Sequence, residues 1–242
     1  FKREEPLVEI LVRGNIMPIT SVKVPAQFEE IFSNAETYVS KYFEDLKLTP
    51  EKGQIVIDGE RYILVRSASL SVNFFGFLMR MYPGLDQSEA LEASGGILFN
   101  MAHTIGLSDA KNFHKKTNVE DPVAKLSTGP IHFAHTGWAF VDIKEDSNPS
   151  PDEDYYLLYD HPQSFEADSW INSGKKTSFC SCYMNAGYSS GWCEESFGIK
   201  LISREILCRA KGDPYCRFIM TPPHKIEEKI TAYKLANPKL FK

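Results

Sequence analysis

The spacing of hydrophobic and polar residues predicts a chain that alternates between helices and strands. Apolar residues recur about every four positions in residues 27–46 and in residues 224–237, which is typical of helices that bury one face. Short apolar or alternating runs predict strands, at residues 8–15, 138–143, 155–161, 199–207 and 215–220. The chain is therefore expected to be of the α+β class, with a mostly antiparallel sheet and packed helices.

Turn and capping residues mark several of the expected boundaries. Residues 54–65 contain two strand-like runs around Asp58 and Gly59, a strong signal for a hairpin. Asp86 with Glu89 three residues later forms a capping-box pattern that opens a helix. That helix is expected to end at Gly106.

Further helices are expected along the rest of the chain, at residues 70–81, 164–174 and 179–198. Pro122, at the first position of another apolar pattern, predicts one more helix. Residues 145–154 are acidic and rich in proline and serine, which favours an exposed loop and the best internal boundary.

Composition excludes several classes of protein. The chain has 242 residues, 43% of them hydrophobic, enough for one sizeable core or two small ones. The net charge is -5 without a dense basic cluster, which argues against direct nucleic-acid contact. No apolar run is long enough to span a membrane. Five cysteines without a secretion signal indicate a cytoplasmic protein. The start at Phe1 and the charged C-terminal helix suggest a piece of a longer protein.

Four residues near the C-terminus form a candidate metal site. Cys182, Glu205, Cys208 and Cys216 offer thiolate and carboxylate groups, which a tetrahedral zinc ion accepts as ligands. Glu205 and Cys208 end one strand-like run, and Cys216 begins the next. Their spacing is not that of a standard zinc pair, so buried cysteines and a surface glutamate remain an alternative on spacing alone.

The surrounding sequence resembles a known family. Residues 185–218, NAGYSSGWCEESFGIKLISREILCRAKGDPYCRF, resemble the 4-vinyl reductase domain, the zinc-binding module of XylR-type aromatic-responsive regulators. Upstream, GERYILVRSASLSVNFFGFLMRMYPG, LSTGPIHFAHTGWAFVDI and HPQSFEADSW resemble the N-terminal segment of those regulators. The resemblance covers about residues 52–222. It implies a sensory domain with no enzymatic activity of its own.

The resemblance implies that zinc is a structural cofactor. In phenol-sensing members the fourth ligand is a cysteine five residues before the glycine of a Gly-Tyr pair, which here is Cys182 and not Cys180. Zinc held by Cys182, Glu205, Cys208 and Cys216 would staple the C-terminal hairpin to the helix that follows Cys182.

The resemblance also implies a pocket for a small, mostly apolar or aromatic molecule. The expected ligand-binding residues are Leu126, Phe133, Ile143, Tyr159, His161, Tyr188 and Trp192. The two residues that bond a phenol hydroxyl in the family are replaced here by Phe133 and His161. Phenol is therefore expected to bind poorly, and a bulkier or less polar compound to bind better.

The resemblance divides the chain into four expected segments. Residues 1–51 would support a homodimer, 52–160 would form the sensory segment, and 161–223 the zinc module. Residues 224–242 would be a linker helix that protrudes towards a C-terminal output module, such as an activator ATPase or a kinase. The domain would act in transcription or signal transduction.

Other interpretations of the sequence stay open. A vinyl-reductase-like enzyme subunit and an acyl-binding scaffold of similar fold are the main alternatives. Residues 187–191 match the G-x-S-x-G pattern of hydrolases, but they lie within a helical pattern, where small residues instead favour close packing on a sheet. His132 and His135, three apart, share one predicted helix face and are either ligands or bases, or else a hydrogen-bonded or surface pair.

Overall fold

A computed structural model describes residues 18–241 of the chain, so the strand expected at residues 8–15 lies outside the described residues. Within that range the helices are α1 (Glu29–Glu44), α2 (Phe74–Met81), α3 (Gln87–Thr117), α4 (Pro122–His135), α5 (Phe165–Asn172), α6 (Tyr183–Phe197) and α7 (Ile226–Ala236). The strands are β1 (Val22–Lys23), β2 (Lys47–Thr49), β3 (Gln54–Ile57), β4 (Glu60–Tyr62), β5 (Ala139–Ile143), β6 (Leu157–Ser164), β7 (Ile202–Leu207) and β8 (Cys216–Thr221). Among residues 18–241, every helix falls short of the length or the hydropathy that a membrane span requires.

The strands form two sheets. The main sheet has five strands in the order β1-β5-β6-β8-β7, and the small one has the order β2-β3-β4. All neighbouring strands run antiparallel except β1 and β5, which run parallel. The prediction of an α+β fold with a mostly antiparallel sheet is confirmed, and the hairpin at Asp58 and Gly59 lies where it was expected.

Helices α3 and α6 pack against each other at glycines. A Cβ atom on Gly187 would lie 2.1 Å from the Phe99 carbonyl oxygen, and one on Gly191 would lie 2.2 Å from the His103 carbonyl oxygen. Atoms cannot approach so closely, so only glycine permits this helix–helix distance. The small residues of α6 therefore serve its contact with α3, and the expectation that they pack on the sheet is wrong in this respect.

The capping box that opens α3 is confirmed, but the predicted end of this helix is wrong. Asp86 accepts hydrogen bonds from Ser88 and Glu89 as expected. The helix then continues through Gly106 to Thr117 and ends at Asn118, which has a positive φ of 51°. Gly106 is there for packing, because its Cβ would lie 2.2 Å from the Tyr188 carbonyl oxygen.

Helix α7 folds back onto the main sheet. Ile226 and Ile230 are buried in a small apolar cluster that also contains Leu158, Ile206 and Ile219. The expectation of a protruding C-terminal helix is wrong, because Leu158, Ile206 and Ile219 form an apolar patch on the outer face of the main sheet and α7 covers it.

Candidate functional site

The four candidate metal ligands come together where three elements meet. Cys182 directly precedes α6, Glu205 lies in β7 and Cys208 follows it, and Cys216 begins β8. One ligand atom from each residue lies within 4.8 Å of the others, and all three cysteines are buried. Cys180 and Cys193 lie outside this cluster.

The turn between β7 and β8 fixes the separation of Cys208 and Cys216. The backbone N–H of Cys208 donates to the Asp213 carboxylate at 2.7 Å. Gly212 has a φ of 105°, a left-handed conformation that favours glycine. This tight turn brings the Cys216 sulfur to 3.4 Å from the backbone nitrogen of Arg209, which donates to it.

The geometry of the cluster fits a tetrahedral metal ion. Sulfurs bound to one zinc at about 2.3 Å would be about 3.8 Å apart, and the Sγ atoms of Cys182 and Cys216 are 3.7 Å apart. The Glu205 Oε2 atom accepts the backbone N–H of Cys182 at 2.9 Å. Its Oε1 atom is buried and has no hydrogen-bond partner in the described structure, so it is available to a cation.

The electrostatics of the cluster also favour a cation. Burial raises the pKa of the Cys182 thiol and of the Glu205 carboxyl well above their usual values. Hydrogen bonds from Cys182 and Cys216 instead lower the pKa of Cys208. Burying thiolates and a carboxylate together is costly unless a positive charge compensates them. These four residues could therefore hold a metal ion.

Six of the seven expected ligand-binding residues line one buried cavity. It measures about 30 Å³, and the six residues are Leu126, Phe133, Ile143, Tyr159, Tyr188 and Trp192. The cavity lies between α4, α6 and the inner face of the main sheet. Its wall is almost entirely apolar, which suits a small apolar molecule.

His161, the seventh expected residue, is not part of the cavity wall. Its ring is fully buried, 5.7 Å from the ring of Phe133 and 5.3 Å from that of Tyr159, measured between centroids. Phe218 is closer still, at 4.5 Å. Both ring nitrogens lack a hydrogen-bond partner in the described structure. The imidazole thus lies directly behind the cavity wall, and both of its ring nitrogens are free to form a hydrogen bond.

Sequence reasoning missed the other residues of the cavity wall. They are Gly129, Pro130, Val141, Leu157, Ser189, Cys193 and Met220. Strand alternation could have found Val141, because it lies two residues before Ile143 on the same face of β5. Leu157 and Met220 are paired neighbours on β6 and β8, and only the strand register brings them together.

Replacing the buried His161 is expected to change how stability depends on pH. Burial lowers its pKa to about 3, below the usual value of about 6.5. Below pH 6.5 the unfolded chain therefore gains a proton that the folded protein excludes, and the free energy of unfolding falls. His161→Phe should remove about 2 kcal/mol of the loss between pH 6.5 and 5.0.

Urea unfolding of the two proteins at pH 7.5 and pH 5.0 checks this expectation. His224→Gln is the matched control, because the His224 side chain is exposed and lies beside Glu153. Equal pH dependence of His161→Phe and the unaltered chain would contradict the buried neutral imidazole.

A second, larger cavity lies on the other side of Tyr188. It measures about 480 Å³ and is bordered by α3, α4 and the segment around β4. The Tyr188 hydroxyl donates to Asp109 at 2.9 Å and lies 3.2 Å from Nδ1 of His132. Asp109 and His132 both line this cavity, whereas the Tyr188 ring lines the small one.

His132 and His135 share a helix face as predicted, since both rings contact Phe43. His132 is buried, and His135 stacks on Phe43 with centroids 4.7 Å apart. Neither is part of the cysteine cluster. The two histidines therefore pack within the protein: His132 lies within hydrogen-bond distance of the Tyr188 hydroxyl, and His135 stacks on Phe43.

A family model and a relative that match this chain are both described as regulators connected with aromatic compounds. Residues 42–147 match the family model XylR_N, described as an activator of aromatic catabolism. The phenol regulator MopR of Acinetobacter guillouiae is 26% identical over 85% of this chain, which spans about a third (34%) of that relative.

A solved sensory domain shares the fold. The phenol-responsive sensory domain of the transcription activator PoxR, solved with phenol, has a TM-score of 0.65 at 20% identity and covers 86% of this chain and 98% of its own. A trafficking protein particle complex subunit 3 from Naegleria fowleri, covalently bound to palmitic acid, has a TM-score of 0.46 at 11% identity, over 64% of this chain and 93% of that one. The resemblance of this chain to the sensory domains of XylR-type aromatic-responsive regulators is confirmed.

Proposed function

We propose that this chain is a ligand-sensing regulatory domain that binds a small, mostly apolar or aromatic molecule. The observation that carries the proposal is the apolar cavity between α4, α6 and the main sheet, with the unpartnered His161 behind its wall. The relatives support the ligand class, since one is named a phenol regulator and another was solved with phenol.

The volume of the cavity restricts how a ligand enters. An apolar cavity of about 150 Å³ is known to bind benzene, whereas this one measures about 30 Å³. A ring-sized ligand must therefore displace a wall side chain. Trp192 is the largest wall residue, and its indole N–H is held by the Lys125 carbonyl oxygen at 3.2 Å. The expectation that a bulkier ligand binds better than phenol finds no support in this volume.

Titration calorimetry with phenol and toluene tests the proposed site. Phenol should bind weakly, because Phe133 offers no partner to its hydroxyl, and each hydrogen bond that a buried polar group lacks costs about 1–3 kcal/mol. Phe133→His should strengthen phenol binding about tenfold, equivalent to about 1.4 kcal/mol. Trp192→Tyr, which enlarges the cavity, should improve the affinity for both compounds.

His161→Ala separates the polar contribution from the apolar one. If the imidazole bonds the ligand hydroxyl, this change should weaken phenol binding about tenfold while toluene binding stays nearly constant. His135→Ala is the matched control, because the His135 ring stacks on Phe43 away from the cavity, whereas the His161 ring lies 5.7 Å from the wall residue Phe133. Strong phenol binding that none of these substitutions alters would place the ligand site elsewhere.

We further propose that the cysteine cluster holds a structural zinc ion. Cys182, Glu205, Cys208 and Cys216 would supply all four positions, which leaves no open position for a substrate. The ion would hold the start of α6 to the β7–β8 hairpin. Because Tyr188 and Trp192 project from α6, the ion would also fix the wall of the ligand cavity.

The signal would leave through α7. On β6, Tyr159 and His161 point towards the ligand cavity, and Asp160 between them points to the other face. Arg217 donates to both carboxylate oxygens of Asp160 at 2.7 Å and to the Tyr233 hydroxyl of α7. Ligand-dependent movement of β6 would therefore reach α7, and from there an output module that controls transcription.

A homodimer and a cytoplasmic location complete the proposal. Residues 1–51 would support the dimer, as the family resemblance implies. Native mass spectrometry of the purified protein would report the metal, the number of subunits and any retained ligand in one measurement.

A further inference from the structure

The cavity of about 480 Å³ next to Tyr188 contains a carboxylate without a cationic partner. Asp109, on α3, accepts the Tyr188 hydroxyl at 2.9 Å. Within residues 18–241 it forms no ion pair with a lysine, arginine or histidine. Burial and the nearby charge of Glu60 raise its pKa. This carboxylate is therefore short of positive charge.

The basic residues at the rim of the cavity, Lys116 and Arg61, have partners other than Asp109. Lys116 pairs with Asp58 at 2.9 Å and with Glu60 at 3.5 Å. Arg61 donates to the backbone carbonyl of Gly53 at 2.7 Å. Neither side chain forms an ion pair with Asp109 in the described structure, so a cation bound in the cavity would be the direct charge partner of this carboxylate.

The hydrogen-bond pattern adds a second acceptor. The Tyr188 hydroxyl has one proton, and it donates that proton to Asp109. Its oxygen must then accept from Nδ1–H of His132, which lies 3.2 Å away. Burial lowers the pKa of His132 to about 3, so the ring is neutral and Nε2 is the acceptor. His132 lines the same cavity as Asp109.

The rest of the wall is apolar and aromatic. Tyr42, Phe113, Trp138 and Phe165 contribute rings to it, and Ile105 and Met101 contribute aliphatic surface from α3. Aromatic faces attract cations as well as apolar groups. Two acceptors that line one cavity, with aromatic rings beside them, match a molecule with a protonated amine at one end and an apolar body at the other.

We propose that this cavity is a second binding site, distinct from the buried apolar one, for a primary amine with an aromatic body. The ammonium group binds between Asp109 and His132, and the ring packs among the aromatic side chains. Because the Tyr188 hydroxyl bonds to Asp109 and lies beside His132 of this cavity, while its ring lines the small one, an amine bound here stiffens the wall of the other site.

Calorimetric titration with 2-phenylethylamine and with the uncharged 2-phenylethanol at pH 7.5 tests the proposal. The amine should bind at least tenfold more tightly than the alcohol, since only the amine compensates the carboxylate. Asp109→Asn should remove that preference. Glu92→Gln is the matched control, because Glu92 is an exposed acid on the same helix outside the cavity, and it should leave the preference intact.

A second variant guards against a folding defect in Asp109→Asn. Ile105 lines the cavity from a partly exposed position (37%), so Ile105→Trp should fill the site without disturbing the core and should weaken amine binding at least tenfold. His161→Ala, which affects the other cavity, should leave amine binding unchanged. Equal affinity for amine and alcohol, or full amine binding by Ile105→Trp, would overturn the proposal. Failure of phenol or toluene to bind the small cavity would not affect it.

Discussion

Replacing Cys208 by serine is expected to remove bound metal and to unfold most of the C-terminal half of the protein. Cys208 is fully buried in the cluster. Its loss leaves only Cys182, Glu205 and Cys216 as ligands, and their buried negative charges then lack a bound cation. Structural zinc binding contributes about 10–16 kcal/mol in small domains, while whole domains are stable by only about 5–15 kcal/mol. The free energy lost with the metal is therefore as large as the whole free energy of unfolding of a typical domain.

Metal analysis and thermal unfolding followed by circular dichroism measure this effect. Cys180→Ser is the matched control, because Cys180 lies two residues before Cys182 and outside the cluster. It should keep about one zinc per chain and nearly the original melting temperature. Zinc retained by Cys208→Ser, or lost by Cys180→Ser, would show that the proposed ligand set is wrong.

Features that depend on a few neighbouring residues could be predicted from the sequence. The capping box at Asp86 and Glu89, the start of α4 at Pro122 and the hairpin at Asp58 and Gly59 all appear as expected. Each is specified by hydrogen bonds or backbone preferences within one turn, so no distant contact is needed to specify it.

Features that depend on distant contacts could not be predicted in the same way. Gly106 has the local pattern of a helix end, yet its neighbour in space is the backbone of Tyr188, far along the chain. The position of α7 depends on Ile206 and Ile219, whose outward-facing apolar surface only the sheet register reveals. Helix propensity and periodicity carry no information about such partners.

The two cavities likewise differ in how much of each could be predicted from the sequence. Family resemblance placed six wall residues around the small cavity, but it did not show that His161 lies behind the wall. Nothing local in the sequence relates Asp109 to His132, which meet only through the hydroxyl of Tyr188. The larger cavity therefore became visible only in the structure.

Replacing Gly187 by alanine is expected to destabilise the protein by about 3 kcal/mol or more, although alanine is the better helix former. The new Cβ would lie 2.1 Å from the Phe99 carbonyl oxygen and 3.1 Å from the His103 nitrogen, both backbone atoms of α3. Backbone cannot rotate away as a side chain can, so α3 and α6 must separate. The melting temperature should fall by roughly 6–12 °C.

Gly96→Ala is the matched control for that change. Gly96 lies inside α3, as Gly187 lies inside α6, but a Cβ on Gly96 would have no neighbour within 4 Å. Alanine should therefore stabilise the protein by up to about 1 kcal/mol through helix propensity alone. Thermal unfolding of both variants, with zinc content measured in parallel, separates packing from metal loss. If Gly187→Ala melted at or above the temperature of Gly96→Ala, α3 and α6 could not be in contact at these glycines. Such a result would also contradict the positions of Tyr188 and Trp192, which α6 contributes to the wall of the small cavity.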